Sequence, residues 1–313
     1  MIRTLDGVLL AARDLPASRI AVAGADDPMV IDAVRLAEDE GLGRALLFGN
    51  PEAIGVALEN ASSPPQWSEI VASDDPCAAA VDAVKSGAAD SVLKGNVPTN
   101  TLLKAVLRRD AGEGGVERLL SHVAIIENYS QNRLLICTDG GMVTDPDVSK
   151  KAAILDNAIQ VARSLGLECP RIGLPALMED KGQNISSLND ARKLMEMYKA
   201  GRWPDTIMDG PFGVDVFLDE ESARHKGISS PCAGAVDILL FPNTDSCNIA
   251  VKMVLHYCHM DMIGLVVGGI TPVILVSRAH SSRAKLISIA LAKIVKRGAA
   301  QASSEVRQAE SAG

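Results

Sequence analysis

The sequence predicts an α/β protein built from two α/β domains with mostly parallel sheets. Strand-like and helix-like segments alternate along the chain, which is typical of βαβ units. The chain has 313 residues, too many for one ordinary core and enough for two domains. Hydrophobic residues make up 47% but aromatic residues only 3%. The core must therefore consist of Ala, Val, Ile and Leu, as in parallel sheets covered by helices.

The first half of the chain alternates regularly. Residues 19–23 predict a strand, and Asp27-Pro28 then starts a helix that runs to residue 40, with the proline in the first turn, where its missing N–H does no harm. Gly41 to Gly43 ends that helix. The next predicted elements are a strand at 45–48, a helix at 76–86, a strand at 91–93, a helix at 99–108 and a pair of adjacent strands at 123–127 and 134–138.

The second half continues the alternation. The predicted elements are a helix at 150–165, a strand at 171–174, a helix at 188–199, a strand from 206 to 208, a strand at 238–241, a helix at 248–259 and a helix at 285–296. The apolar stretch Met262 to Val276 contains three glycines and Pro272, so it predicts two strands joined by a turn. At about 15 residues it is also too short and too interrupted to span a bilayer. The polar tail after about Arg297 is expected to be frayed.

Composition excludes several classes of partner. The formal net charge of −8 argues against binding to a nucleic-acid backbone or an anionic membrane, and few aromatic residues are available for base stacking. Asp6 and Asp14 in the first turns leave no visible signal peptide. No cysteine pair has CxxC or metal-type spacing, and His256 and His259 lack an HExxH frame, so no metal site is predicted. Most of the cysteines lie in apolar surroundings and are interpreted as small buried residues with free thiols. Free thiols are typical of a reducing compartment, so we expect a cytoplasmic protein.

The most informative segment lies near the C-terminus. The apolar run 273–276 ends at Ser277-Arg278, shortly before a helix, so a hydroxyl and a guanidinium are predicted at the carboxyl end of a strand. Open α/β sheets bind their ligands at that edge, and the planar donors of Arg suit phosphate or another oxyanion. His280 lies three residues after Ser277 on the same loop. A surface turn whose arginine pairs with a nearby carboxylate is the alternative.

A second polar junction follows the strand at 91–93. Gly95 permits close approach of a backbone or ligand, Thr99 is predicted to cap the next helix, and the N-terminus of that helix attracts anions. Lys94 adds a positive charge. The order of glycine and lysine differs from that of a P-loop, so this turn resembles a phosphate-binding turn only in outline.

Further junctions carry Asp139, Asp209 and Asn248. Each aspartate follows or ends a predicted strand, where a catalytic acid and a turn-forming or capping residue are both reasonable interpretations. Lys252 lies one turn into the helix that follows Asn248, which predicts that its ammonium faces the same edge; a solvated surface lysine is the alternative. GxSxG and GxGxxG motifs do not occur at the expected places.

Taken in order and spacing, these pieces resemble the phosphate acetyltransferase and phosphate butyryltransferase family, over about residues 78–292. The pieces that carry the resemblance are Lys94-Gly95 with Thr99, Leu120-Ser121-His122-Val123, Thr138-Asp139 with Pro146 and Lys151, Asn157-Ala158, Asp209-Gly210-Pro211, Lys226-Gly227-Ile228, Gly234 with Asp237-Ile238-Leu239, Asn248 with Lys252, Gly268-Gly269, and Ser277-Arg278 through Lys285 and Ser288-Ile289-Ala290. The butyryl branch is more similar than the acetyl branch. The reasons are Thr138-Asp139, Asp209-Gly210-Pro211 and Ser277-Arg278-Ala279, together with the shortness of the chain.

The resemblance implies the reaction acyl-CoA + phosphate ⇌ acyl phosphate + CoA, without metal or prosthetic group. It implies an isocitrate/isopropylmalate dehydrogenase-like fold with the site in an interdomain cleft, and a homodimer. The expected domains are residues 1–137 with 273–313, and residues 138–272 as an insertion. Ser277 and Arg278 would hold phosphate and polarise the carbonyl, with His280 as a candidate base. Lys94, Gly95, Thr99, Asp139, Asp209, Asn248 and Lys252 are the expected substrate-binding residues.

The chain also departs from the family pattern. The acetyl enzymes place an Asp a few residues after the Ser-Arg pair, whereas residues 281–284 here contain no carboxylate. His280 stands where the butyryl-type loop usually has Asp, and Cys247 replaces the usual Gly before Asn248. Two alternatives therefore stay open: a non-catalytic or altered-specificity acyl-CoA-binding paralogue, and a metal- and NAD-dependent dehydrogenase of related fold.

Overall fold

The structure is a computed structural model that describes residues 1–62, 64–110, 119–129, 131–275 and 281–312, with the backbone alone at 109–110 and 302–312. The strands, in chain order, are β1 (Ser18–Ala23), β2 (Gly43–Gly49), β3 (Glu69–Ala72), β4 (Ser91–Lys94), β5 (Ser121–Asn128), β6 (Arg133–Thr138), β7 (Arg171–Pro175), β8 (Ile207–Phe212), β9 (Ile238–Leu240), β10 (Met262–Val267) and β11 (Val273–Ile274). Within these ranges no helix is long and apolar enough to cross a membrane.

The helices alternate with these strands. They are α1 (Leu5–Arg13), α2 (Pro28–Asp39), α3 (Pro51–Asn60), α4 (Pro76–Lys85), α5 (Thr99–Asp110), α6 (Val148–Ser164), α7 (Ser186–Lys199), α8 (Val214–Leu218), α9 (Glu220–His225), α10 (Thr244–His256) and α11 (Ser282–Ala312). The local sequence patterns did not predict α1, α3, β3, α8 or α9. It was wrong about the C-terminal tail, because α11 continues to Ala312.

The chain forms two compact units. The terminal unit comprises Asp6–Arg118 and Ile263–Gly313, and the central unit comprises Met1–Leu5 and Leu119–Met262. Their boundaries differ from those expected for the domains, at 137/138 and 272/273. The reason is strand pairing: β5 pairs with β6 as an antiparallel neighbour, so both belong to the central unit, whereas β10 pairs with β11 and belongs largely to the terminal unit.

The terminal unit has a mostly parallel sheet in the order β3-β2-β1-β4-β11-β10. Its strands are parallel except for β10, which runs antiparallel to β11 through the pair Val266 and Val273. Five of the six residues of β1 are buried, which is typical of a parallel strand covered on both faces. The helices α2, α3 and α4 each begin with an Asp or Asn cap followed by proline, which stops the preceding loop and starts the helix.

The strands of the central unit lie in the order β5-β6-β9-β7-β8 and are parallel except for β5. Its core combines the inner faces of β5, β6 and β9 with α8 and α10, and Phe217, Cys232 and Cys247 are completely buried there. Because β6, β9, β7 and β8 are parallel, their carboxyl ends open at one edge. The residues that follow those ends are the ones that can bind a ligand.

Candidate active site

In the terminal unit, the polar residues after β4 are held by close backbone packing. The amide of Gly95 donates to the Ala23 carbonyl at 2.9 Å, and the amide of Asn96 donates to the Gly24 carbonyl at 2.7 Å. A Cβ atom at Gly95 would lie 2.0 Å from the Gly24 carbonyl oxygen, so only glycine fits. The loops after β1 and β4 therefore form one surface at the carboxyl edge of the sheet.

That surface lines a cavity of about 270 Å³, which we call the carboxyl-end cavity. It is lined by Asp27, Val30, Lys94, Gly95, Asn96, Val97 and Pro98. The Lys94 ammonium is half-buried and donates to the Gly95 carbonyl at 3.1 Å. The carboxylate of Asp27 caps α2 by accepting from the Met29 amide at 3.0 Å. Lys94 and Asp27 thus line the same cavity. From the sequence, Asp27 had been interpreted only as the start of a helix.

A second lysine lies near this edge. Lys285 on α11 is only 5% exposed, and burial lowers the pKa of its ammonium, an effect that the charges of Asp27 and Asp32 oppose. The helix that carries it begins with a capping serine: Ser281 Oγ accepts from the Ala284 amide at 3.0 Å. The carboxyl edge of this unit therefore has two lysines, with Asp27 and Asp32 as neighbouring carboxylates.

Helix α5 is capped by Pro98, whereas Thr99 was the expected capping residue. The amides of Thr101 and Leu102 donate to the Pro98 carbonyl at 3.1 and 3.2 Å, so Pro98 occupies the capping position. Thr99 is the first residue of the helix and is exposed. Its predicted role as a cap was wrong because the proline, with its fixed φ, already ends the loop.

The end of β11 lies beside the end of β4. Ile274 pairs with Leu93 in a parallel register, so the chain leaves β11 next to Lys94. Ser277, Arg278 and His280 follow along the chain, and all three lie outside the described residues. The register therefore places the end of β11 and the Lys94 turn at one edge of the sheet.

In the central unit, Asp139 organises the loop that follows β6. Its side chain is 3% exposed, and Oδ1 accepts from the amides of His122, Gly141 and Met142 at 3.1, 2.9 and 3.1 Å. Oδ2 accepts from the Val143 amide at 2.8 Å. Four backbone donors therefore converge on one carboxylate, and the observed role of Asp139 is to shape the loop.

The same loop is tied to the first turns of α10. Asn248 Nδ2 donates to the Gly140 carbonyl at 2.8 Å, and the Thr244 hydroxyl donates to the Val143 carbonyl. Asn243 caps the helix by accepting from the Ser246 amide at 2.9 Å. Lys252 lies one turn beyond Asn248 and is exposed. Asn248 is thus brought to the loop of Asp139, and Lys252 follows one turn later on the same helix.

Asp209 is at the same edge but farther along the sheet. It lies on β8, where its Oδ1 accepts from its neighbour's amide, that of Gly210, at 2.8 Å. The order β6-β9-β7-β8 separates it from β6 by three strand spacings, about 14 Å. The structure therefore does not place Asp209 in direct contact with the loop of Asp139.

Residues 60–293 match the family model described as phosphate acetyl/butaryl transferase, three quarters of the chain. The chain belongs to the phosphate acetyl/butyryltransferase family. It is 35% identical over 298 residues to the phosphate butyryltransferase of Clostridium beijerinckii, covering 94% of this chain and 98% of that protein. It is 33% identical over 280 residues to the phosphate acetyltransferase of Thermotoga maritima, covering 88% and 94%. The crystal structure of a branched-chain phosphotransacylase from Enterococcus faecalis V583 superposes with a TM-score of 0.75 at 27% identity, covering 89% and 99%.

Two side chains, those of His122 and Cys247, pack against Gly140. A Cβ atom at that glycine would lie 3.2 Å from His122 Nδ1 and 3.4 Å from Cys247 Sγ, so an added methyl group would press on the imidazole and only touch the thiol. Burial raises the pKa of the Cys247 thiol, with smaller contributions from Cys137 and Asp139. Cys247 is consequently a packed neutral thiol, and we assign it no role as a nucleophile.

Sequence analysis missed two ion-pair clusters that anchor the loop between β7 and α7. Lys226 Nζ lies 2.9 Å from Asp215 Oδ2 and 3.1 Å from Glu179 Oε1, and these hydrogen bonds raise the pKa of the lysine. The guanidinium of Arg192 holds Asp180, and its hydrogen bonds lower the pKa of that carboxyl to about 2. In the sequence, the only indication of these ion pairs was the charge of each residue. The partners of Lys226 and Arg192 are too far away along the chain for a local pattern to connect them.

Proposed function

We propose that this protein is a phosphate acyltransferase that catalyses acyl-CoA + phosphate ⇌ acyl phosphate + CoA with a short acyl group. The family match over residues 60–293 carries the proposal. Both substrates are anions, and an acidic chain needs local positive charge to bind them. Lys94 and Lys285 at the carboxyl edge of the terminal unit provide such charge.

In the direction of thioester synthesis, the CoA thiol loses its proton to a base, and its sulfur forms a bond to the acyl carbon. The bond from that carbon to the phosphate oxygen breaks, and phosphate leaves with the bonding electron pair. Negative charge builds on the carbonyl oxygen in between. A donor directed at that oxygen in a dry site contributes roughly 3–4 kcal/mol, and holding the two substrates together contributes much of the rest.

We assign the phosphate and carbonyl donors to Ser277 and Arg278. Their support is the family resemblance and the register of β11 with β4, which leads the chain away from the sheet beside Lys94. Lys94 and Gly95 would then contact the phosphate from the neighbouring strand, with Thr99 on the following helix. His280 is the proposed base, because an imidazole titrates near neutrality and a free thiol at about 8.5.

In the central unit we assign substrate contacts to Asn248 and Lys252, on the first turns of α10. The support is the tie between Asn248 and the Gly140 carbonyl, which fixes this helix to the loop of Asp139. Asp139 serves the site by holding that loop. Asp209, the third residue of β8, is proposed as a more distant substrate contact.

Three structural features belong to this proposal. The two units would adopt an isocitrate/isopropylmalate dehydrogenase-like arrangement with the site in the cleft between them, as the resemblance implies. The protein would be a homodimer, and an exposed apolar stripe on α10 and its C-cap supports this: Ile249, Met253 and the C-cap Tyr257 are 63, 54 and 77% exposed. Six free cysteines support a cytoplasmic location, where thiols stay reduced.

The test of function is release of CoA from a panel of acyl-CoAs, with and without phosphate. Release that requires phosphate supports the proposal. Reduction of NAD that requires a divalent metal would replace it with a dehydrogenase, and tight CoA binding without turnover would replace it with an acyl-CoA-binding paralogue. No metal or prosthetic group is proposed, so extensive chelation is expected to leave the rate unchanged.

Single substitutions test the assigned roles. Arg278→Ala should lower turnover at least a hundredfold, as expected for loss of one donor to the transition state. Lys94→Met should raise the KM for phosphate, whereas Lys104→Met, on the exposed face of α5, should not. His280→Ala should flatten the pH profile near neutrality. Kinetics of Arg278→Ala close to those of the parent would remove this residue from the mechanism.

The dimer has its own test. Ile249→Glu should convert the particle mass measured by light scattering from two chains to one, whereas Val56→Glu, an equally exposed valine on α3, should not. A single-chain mass for the parent protein would contradict the proposal.

A further inference from the structure

A second cavity of the terminal unit lies at the opposite edge of the sheet from the proposed reaction site. It has a volume of about 290 Å³, and we call it the amino-end cavity. Its floor includes Ser18 and Ser91, the first residues of β1 and β4. The length of β1 separates this edge from the carboxyl edge by five residue rises, about 17 Å. A ligand here does not occupy the carboxyl-end cavity.

Positive groups from one helix dominate the polar lining of the amino-end cavity. Lys293, Lys296 and Arg297 all project from α11, and Asp90 is the one carboxylate among the lining residues. Three cationic groups and one anionic group leave a net formal charge of +2. A dianion would neutralise this excess, and a monoanion would halve it.

The cations are placed by the fold. Lys293 is 7% exposed, and its ammonium donates to the Leu42 carbonyl at 2.9 Å, which uses one of its three donors. Burial lowers the pKa of this ammonium, and the charge of Asp90 opposes that effect. Arg297 is exposed, and its side chain forms no hydrogen bond or ion pair within the part of the chain that the structure describes. A rigid buried ammonium and an accessible guanidinium together suit a carboxylate.

The remaining walls of the amino-end cavity are apolar. Leu15, Pro16 and Ala17 come from the segment between α1 and β1, and Ala292 and Ala300 come from α11. A volume near 300 Å³ is at the small end of ligand pockets. A small ion without carbon atoms would leave these walls in contact with water, whereas a short hydrocarbon chain would cover them.

We propose that the amino-end cavity binds a short-chain organic carboxylate, with its charge against Arg297 and the two lysines and its hydrocarbon chain against Leu15, Pro16 and Ala292. This site is separate from the acyl-transfer site, and the proposal does not rest on the proposed function. The experiment uses hexanoate as the probe, with inorganic phosphate and chloride at equal ionic strength for comparison.

Binding is measured by titration calorimetry on the full chain, in the presence of saturating CoA. Hexanoate should bind saturably, and phosphate should bind at least tenfold more weakly because it has no apolar part. Arg297→Glu should weaken hexanoate binding at least tenfold, since an attraction becomes a repulsion. Arg108→Glu is the matched control on α5, and it should leave the affinity unchanged.

Crystals soaked in 6-bromohexanoate locate the ligand by the anomalous signal of bromine. A bromine peak beside Leu15 and Ala292 supports the proposal. Absence of saturable binding, equal affinity in the Arg297→Glu variant, preference for phosphate, or a bromine peak only at another place would each overturn it.

Discussion

Removing the carboxylate of Asp139 should destabilise the central unit far more than removing an ordinary capping aspartate. Four backbone amides donate to this side chain, which is 3% exposed. A hydrogen bond contributes a net 0.5–1.5 kcal/mol, so Asp139→Ala should lower the free energy of unfolding by about 4 kcal/mol. Asp139→Asn keeps an acceptor for three of the donors but turns an NH₂ group toward the Val143 amide. We expect a loss of about 2 kcal/mol for this variant.

The assay is urea unfolding followed by tryptophan fluorescence in a Trp67→Phe background. Trp203 then remains as the one tryptophan; it is 5% exposed and belongs to the central unit, so its emission reports on that unit. Asp147→Ala is the matched control, because Asp147 accepts from a single amide, that of Lys150, and its loss should cost about 1 kcal/mol. Equal losses for Asp139→Ala and Asp147→Ala would refute the reasoning.

Three other predictions follow from packing and charge. Gly95→Ala should lower the urea midpoint of the terminal unit and reduce phosphate affinity, because the new Cβ would meet a carbonyl oxygen at 2.0 Å; an unchanged midpoint would show that the loop adapts. The carboxyl carbon of Asp180 should titrate by NMR with a midpoint near 2 in the parent and at a higher pH in Arg192→Gln, because the guanidinium hydrogen bonds are the largest cause of the lowered pKa and the Gly182 amide remains. Its contribution to the loop is therefore present above the ordinary Asp range and is lost as the pH falls through 2; identical midpoints would contradict this. Mild alkylation at neutral pH should label Cys169 and Cys258, which are exposed, before the four buried cysteines, as mass spectrometry of peptides will show.

Local sequence patterns were sufficient to predict most of the regular elements. The Asp27-Pro28 start of α2 appears in the structure because a cap and a fixed φ act within one turn. The prediction of two strands in 262–276 agrees with β10 and β11, since glycine and proline interrupt the apolar run. Helix α3 was missed although it has the same kind of Asn-Pro start, at Asn50 and Pro51. The family was also recognisable from motif order, and the match to residues 60–293 confirms it.

Long-range packing decided which polar residues are available for chemistry. Asp139 and Asp209 have the same local appearance, an aspartate at a strand end followed by glycine. In the structure Asp139 is enclosed by four amides, whereas Asp209 accepts from one. The donors to Asp139 include the amide of His122 on another strand, which no local pattern identifies.

What the chain determines locally is therefore its alternation of strands and helices, the caps that start them and the motifs of its family. These features depend on interactions between residues that are within one or two helical turns of each other in the sequence. Such interactions form whatever the rest of the chain does. The order of the strands, the boundaries of the two units and the role of each charged group were decided only by tertiary structure. Lys293 illustrates the reason: its ammonium is buried because its helix packs where the Leu42 carbonyl, 251 residues away along the chain, accepts its hydrogen bond.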